Sequence, residues 1–117
     1  MTYEALVGGL LDRLHPLFRA LGEPLRMAIL RTLLEHPDGL TVTELVDALD
    51  VPQSTVSRHL AVLRHAAVVD AARDGTSRVY TVTVPHQTLD ALDTLTETIR
   101  ECVRERHPKA REHPARP

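Results

Sequence analysis

Leucines recur through the first segment at spacings of three and four: Leu6, Leu10, Leu14, Leu17, Phe18 and Leu21. At 3.6 residues per turn they share one face, so the pattern predicts an amphipathic helix over residues 3–21. Gly8-Gly9 weakens it or lets another helix approach closely, and Pro16 kinks or restarts it. Gly22 ends it and Pro24 suits the first turn of a second helix, which carries Leu25, Ile29, Leu30, Leu33 and Leu34 and is closed by His36-Pro37-Asp38-Gly39. Thr41 or Thr43 then caps a short third helix running to Leu49, with Glu44 in its first turn. Asp50-Val51-Pro52 turns the chain into a fourth helix whose Val56, Leu60 and Leu63 lie on one face, opposite Gln53, Ser54, Ser57 and Arg58.

After Ala67 the period changes to two. Residues 68–73 and 77–84 alternate like strands, and Asp74-Gly75 between them is a hairpin signal. Pro85 opens a last helix with Leu89, Leu92, Leu95, Ile99 and Val103 on its apolar seam. From His107 the composition is Pro, Lys, Arg, Glu and His, which reads as a disordered tail. The expected fold is mainly α with a small β-hairpin, a winged helix-turn-helix in the order ααααββα. One domain spans residues 1–106, with dimerisation helices at both ends, and the tail spans residues 107–117.

The strongest pattern lies in residues 44–63. A helix-turn-helix needs a small residue in its first helix, a left-handed turn residue four later and an apolar anchor six after that. Val46, Asp50 and Val56 hold those places. Asp tolerates the left-handed region better than most residues. Val46 is larger than the usual Ala, which sets the two helices slightly apart. A hairpin directly after such a unit makes a winged helix.

That geometry points to double-stranded DNA, because a helix fits the major groove and reads base edges with its N-terminal polar side chains. The candidate contacts are Thr43, Gln53, Ser54, Thr55, Ser57, Arg58, His59 and Arg64, with Arg73, Gly75, Thr76 and Arg78 on the hairpin. Arg58 suits guanine and Gln53 suits adenine. Arg73 and Arg78 flank the hairpin tip, where a wing meets phosphates or the minor groove. His59 is placed either among these contacts or docked on the first helix of the motif.

Charge changes this picture little. The formal net charge is −2, where a nucleic-acid binder is usually basic. Residues 53–78, however, hold Arg58, Arg64, Arg73 and Arg78 against only Asp70 and Asp74. That basic patch would be doubled in a dimer. With 117 residues, 3% aromatics and no Trp, the core is aliphatic and small, so a dimer would help to bury it. No apolar run is long enough to span a membrane, and no signal peptide is visible. The single Cys102 cannot form an intrachain disulfide and fits a reducing cytoplasm. It either joins subunits on oxidation or is buried and inert.

Leu17-Phe18-Arg19-Ala20-Leu21-Gly22-Glu23-Pro24-Leu25-Arg26-Met27-Ala28-Ile29-Leu30, then Ser54 to Leu60, then Arg73-Asp74-Gly75 through Val79-Tyr80 resemble the ArsR/SmtB repressors over about residues 14–100. The resemblance implies a homodimer joined by its first and last helices on an operator of two-fold symmetry. The interface candidates are Leu6, Leu10, Leu14, Leu89, Leu92, Leu95, Ile99 and Val103.

Many members of that family release DNA when a metal binds. Where one site type has two Cys, this chain has Thr41 and Thr43, which offer no thiolate. Where another has Asp-x-His and His-x-x-Glu along the last helix, it has Val84, His86, Glu97 and Arg100. His86, Glu97 and His15 are therefore the candidate ligands for a nickel or zinc ion, with His107 and His113 in the tail; no cofactor is certain.

The expected function is a sequence-specific, dimeric transcription repressor. The alternatives are a metal-responsive regulator, or an activator whose signal is sensed by a partner protein. A winged-helix protein-interaction module would expose apolar residues on the fourth helix, where this chain shows polar groups and Arg. MarR-type regulators are usually longer. No phosphate loop, metalloprotease motif or nucleophile elbow supports an enzyme.

Overall fold

A computed structural model describes residues 2–106; the expected tail at 107–117, with His107 and His113, lies outside them. The elements are α1 (Tyr3–Leu21), α2 (Pro24–Leu34), α3 (Val42–Leu49), α4 (Gln53–His65), β1 (Val69–Asp74), β2 (Ser77–Val82) and α5 (His86–Arg106). Their order, ααααββα, is that expected from the periodicity.

Local chemistry explains the boundaries. Glu23 caps α2 by accepting from the Arg26 backbone N–H at 3.0 Å, and Pro24 follows in the first turn. Thr41, not Thr43, caps α3: its hydroxyl accepts from Glu44 N–H at 3.2 Å, while the Glu44 carboxylate accepts from Thr41 N–H at 3.0 Å. The Thr41 backbone N–H, followed by its hydroxyl, holds the Glu44 carboxyl below its ordinary range. The cap therefore persists above that range and is lost as acid protonates the carboxyl. Pro16 lies inside α1 without interrupting it, so the expected restart does not occur.

The described residues fall into two compact units, one of residues 2–15 with 86–106 and the other of Pro16–Pro85. In the second, Ile29, Leu33, Leu45, Val56, Leu60, Leu63 and Val69 are fully buried, each stabilising the fold by roughly 1.5–3 kcal/mol. β1 and β2 pair antiparallel, with Val69 opposite Val82 and Arg73 opposite Arg78. Leu40, before α3, exchanges two backbone hydrogen bonds with Tyr80, at 3.0 and 2.8 Å, and so ties β2 to the helices. Asp74 pairs with Ser77, so the turn itself is Gly75-Thr76, with positive φ at Gly75. Gly-X is the other common two-residue hairpin loop.

In the first unit the start of α1 lies beside the end of α5. Tyr3 Oη donates to Glu105 Oε1 at 3.0 Å, and Glu4 pairs with Arg106. The Glu105 carboxylate, by accepting that bond, raises the Tyr3 pKa. Leu10, Leu14 and Leu95 are buried in the single chain. This corrects their placement at a dimer interface: they are spent on the chain's own core, whereas Leu89, Ile99 and Val103 remain 44%, 43% and 41% exposed, and Leu6 and Leu92 are half-buried.

α4 ends unexpectedly. Ala67 N–H donates to the Arg64 carbonyl and Val68 N–H to the Leu63 carbonyl, the paired bonds of a Schellman cap. The left-handed residue is Ala67, at φ 62°, where glycine is usual. A left-handed alanine costs roughly 1–2 kcal/mol, partly offset by the larger entropy that glycine loses on folding. Ala67→Gly is expected to stabilise the chain by about 0.5–1 kcal/mol in urea denaturation. A variant less stable than wild type would show that Ala67 contributes packing that outweighs its strain.

Candidate nucleic-acid interface

The turn between α3 and α4 depends on Asp50, which stands at φ 53° and ψ 51° and whose N–H donates to the Val46 carbonyl at 2.8 Å. This is the left-handed turn expected from the spacing. It swings α4 across α3 with Val56, Leu60 and Leu63 buried. Gln53, Ser54, Ser57, Arg58 and Arg64 are exposed together, Thr55 is half-buried, and Thr43 is exposed at the start of α3. No side chain caps the N-terminus of α4, so its free N–H groups and the positive end of its dipole accompany those polar side chains.

On the hairpin Arg73, Gly75, Thr76 and Arg78 are all exposed. Arg73 and Arg78 stand directly opposite each other across the strands, where like charges destabilise a sheet unless a counter-charge arrives. A groove of about 440 Å³ separates α4 from β2, lined by Ser57, Leu60, Ala61, Arg64, His65, Arg78 and Tyr80. Among the described residues, none of Arg58, Arg64, Arg73 and Arg78 pairs with a carboxylate. Arg64 and Arg78 on the groove, Arg58 on the polar helix face and Arg73 opposite Arg78 suit a polyanion.

His59 does not belong to that face. It is buried at 8% exposure, and its Nδ1 accepts from Arg26 on α2 at 3.2 Å, so its hydrogen bond is made inward to α2. The correction has a simple cause: residue 59 shares the inward stripe of 56, 60 and 63. Arg26 and Glu23, missed in the sequence, complete this inner cluster. Their signal was an arginine at 26 on the same stripe as Leu30 and Leu33, where a charge needs buried partners. His65, Ala61 and Tyr80 of the groove were also missed.

The metal candidates do not come together. His86 opens α5 and Glu97 follows eleven residues later, about 16 Å along the helix axis. Glu97 is held by Arg100 at 3.2 Å, and His15 is exposed on α1. No three His, Cys, Asp or Glu residues cluster among the described residues. The donors among the described residues of one chain do not make up a nickel or zinc site, which would need three or four ligands at about 2 Å.

Fold and face together define a winged helix-turn-helix DNA-binding transcription regulator. A family model described as a helix-turn-helix domain matches residues 21–70, and the HTH-type transcriptional regulator NmtR of Mycobacterium tuberculosis is 38% identical over 94 residues, 79% of this chain and 77% of that protein. The chain belongs to the ArsR/SmtB family, a family of regulators and not of enzymes. The transcriptional repressor SmtB of Mycobacterium tuberculosis is 43% identical over 86 residues, covering 71% of this chain and 62% of its own length. Among solved structures, the repressor PagR of Bacillus anthracis superposes with a TM-score of 0.58 at 31% identity, over 74% of this chain and 95% of that one. An ArsR-like regulator from Rhodococcus sp. RHA1 reaches 0.74 at 21% identity, over 96% of this chain and 94% of that one, a likeness of fold alone.

Proposed function

We propose that the chain is a homodimeric repressor that lays α4 in the major groove of a two-fold operator and rests its hairpin on the flanking backbone. The observation that carries this reading is the polar, arginine-bearing outer face of α4, which shares a groove with Arg78 of the hairpin, itself opposite Arg73. Gln53, Ser54, Ser57 and Arg58 meet base edges, with Thr55 at the margin. Thr43, Arg64, Arg73, Arg78 and the turn at Gly75-Thr76 meet phosphate and sugar. Two relatives described as repressors, SmtB and PagR, support repression rather than activation. No described helix is long and apolar enough to cross a membrane.

Base-reading and phosphate-binding arginines are separable. Enriching duplexes from a random-sequence library with the wild-type chain supplies a probe. On it, Arg58→Ala is expected to cost about 1–3 kcal/mol and relax base preference, while Arg78→Ala weakens every sequence alike and reduces the salt slope by about one. If both variants bind the enriched duplex as wild type does across a salt titration, the docking is wrong.

A further inference from the structure

The inner side of α4 carries an interaction that DNA contact does not use. Arg26 Nε donates to the Ala20 carbonyl at 2.6 Å, its Nη2 donates to the Arg19 carbonyl at 3.1 Å, and its Nη1 donates to His59 Nδ1 at 3.2 Å. Arg19 and Ala20 lie in the last turn of α1, where carbonyls lack intrahelical partners. One planar guanidinium thus ties the end of α1 to the recognition helix through three donors.

That bond dictates the state of the ring. Arginine only donates, so Nδ1 must accept, and the ring is neutral with its proton on Nε2. Protonation places an N–H on Nδ1 facing a cation, and the bond is lost. The group then best placed to receive it is Glu23, whose Oε2 lies 3.9 Å from Nδ1 and already accepts from the Arg26 backbone N–H. The ring has two discrete partners, one for each charge state.

Other ionisable groups do not compete. α3 brings Glu44 and Asp47, β1 brings Asp70, Arg73 and Asp74, and α4 itself carries Arg58, Arg64 and His65, all exposed. None of them forms a hydrogen bond or ion pair with the ring among the described residues.

We propose that Arg26 and His59 are positioning residues: the recognition helix is held in its DNA-competent orientation by neutral His59 accepting from Arg26, and protonation of His59 exchanges that bond for one to Glu23 and draws the helix out of that orientation. This rests on the reading of α4 as the DNA-contacting helix. A helix so displaced populates the competent orientation less, and apparent affinity falls by that fraction.

The sign of the pH dependence separates this from ordinary electrostatics. An exposed histidine beside bound DNA gains positive charge in acid and would tighten binding. The latch predicts the reverse. Fluorescence anisotropy is followed on the library-enriched duplex at fixed ionic strength across the histidine range, from about pH 7.5 to about 5.5. Wild-type affinity is expected to fall about tenfold, the weight of one hydrogen bond to a charged group.

His59→Gln offers Arg26 an amide oxygen that does not titrate, so it is expected to bind within about threefold of wild type at the higher pH and to lose the acid effect. Arg26→Gln removes the ties to α1, and is expected to start about tenfold weaker and likewise lose the acid effect. Nitrogen NMR of the DNA-free wild type reads the latch directly, even where Arg26→Gln does not fold. Nδ1 is expected to be unprotonated at the higher pH and to gain its proton with the same midpoint as the affinity loss.

Wild-type affinity that rises or stays level in acid would overturn the proposal. So would a fall retained by His59→Gln, or an Nδ1 that carries its proton at the higher pH. A failure to enrich any duplex would overturn the DNA-binding reading itself, and the role of the latch with it, before any pH series begins.

Discussion

Gly39→Ala is expected to cost the chain about 3 kcal/mol or more and to loosen the hairpin from the helices. Gly39 adopts φ 93°, outside the region open to residues with a Cβ. Space is lacking as well: a Cβ there would lie 2.8 Å from the Tyr80 carbonyl oxygen and 2.9 Å from Thr81 Cγ2. The Tyr80 oxygen cannot retreat freely, because it accepts from Leu40 N–H at 3.0 Å in the bridge that anchors β2. Relief would have to break that bridge, leaving the Tyr80 carbonyl without its Leu40 donor.

Gly75 is the control. It too has a positive φ, 65°, but nothing lies within 4 Å of its would-be Cβ, so Gly75→Ala carries only the backbone term, about 1–2 kcal/mol. Urea denaturation of the two variants gives the comparison. A Gly39→Ala chain as stable as Gly75→Ala would show that the bridge between Leu40 and Tyr80 does not constrain the fold.

The fold was legible because its signals are local. The leucine spacing of α1, the Gly22-Glu23-Pro24 boundary and the change of period after Ala67 each need only a few neighbouring residues to be read. The turn at Asp50 was legible for the same reason, since Asp is among the few residues that tolerate the left-handed region. Ala67 was not, because nothing in alanine's chemistry announces that conformation; the Schellman bonds to Leu63 and Arg64 impose it. The hairpin was placed correctly, but its loop falls on Gly75-Thr76 rather than on Asp74-Gly75, because strand register decides which residues turn.

The candidate site divides along the same line. Exposed positions of α4 follow from periodicity, and Gln53, Ser54, Ser57, Arg58 and Arg64 lie outward as that requires. His59 was read by its chemistry, as a donor and acceptor suited to bases, when its position on the inward stripe should have decided. Its partner Arg26 lies 33 residues away, a pairing no local pattern reveals. Leu10, Leu14 and Leu95 failed similarly. An apolar seam states that a face is buried, not whether the same chain or a second copy buries it.

That last distinction sets the other large expected effect. Ile99 and Val103 stand four apart on α5, 43% and 41% exposed in the single chain, so glutamate at either position costs the isolated chain no more than about 0.5 kcal/mol. In a two-fold dimer the same surface patch of both copies takes part. An interface there would bury unpaired charges in both copies, at several kcal/mol. The double variant Ile99→Glu, Val103→Glu is therefore expected to sediment as a folded monomer with wild-type helix content. Leu14→Glu, at 2% exposure, is expected to unfold instead, because its charge enters the chain's own core. A monomer keeps one recognition helix but loses the linkage of two half-sites, which is worth about 10²–10⁴-fold in affinity. The double variant should bind the enriched duplex at least about a hundredfold more weakly than wild type. A double variant that remains dimeric and binds as wild type would place the subunit contact on a face other than the exposed seam of α5.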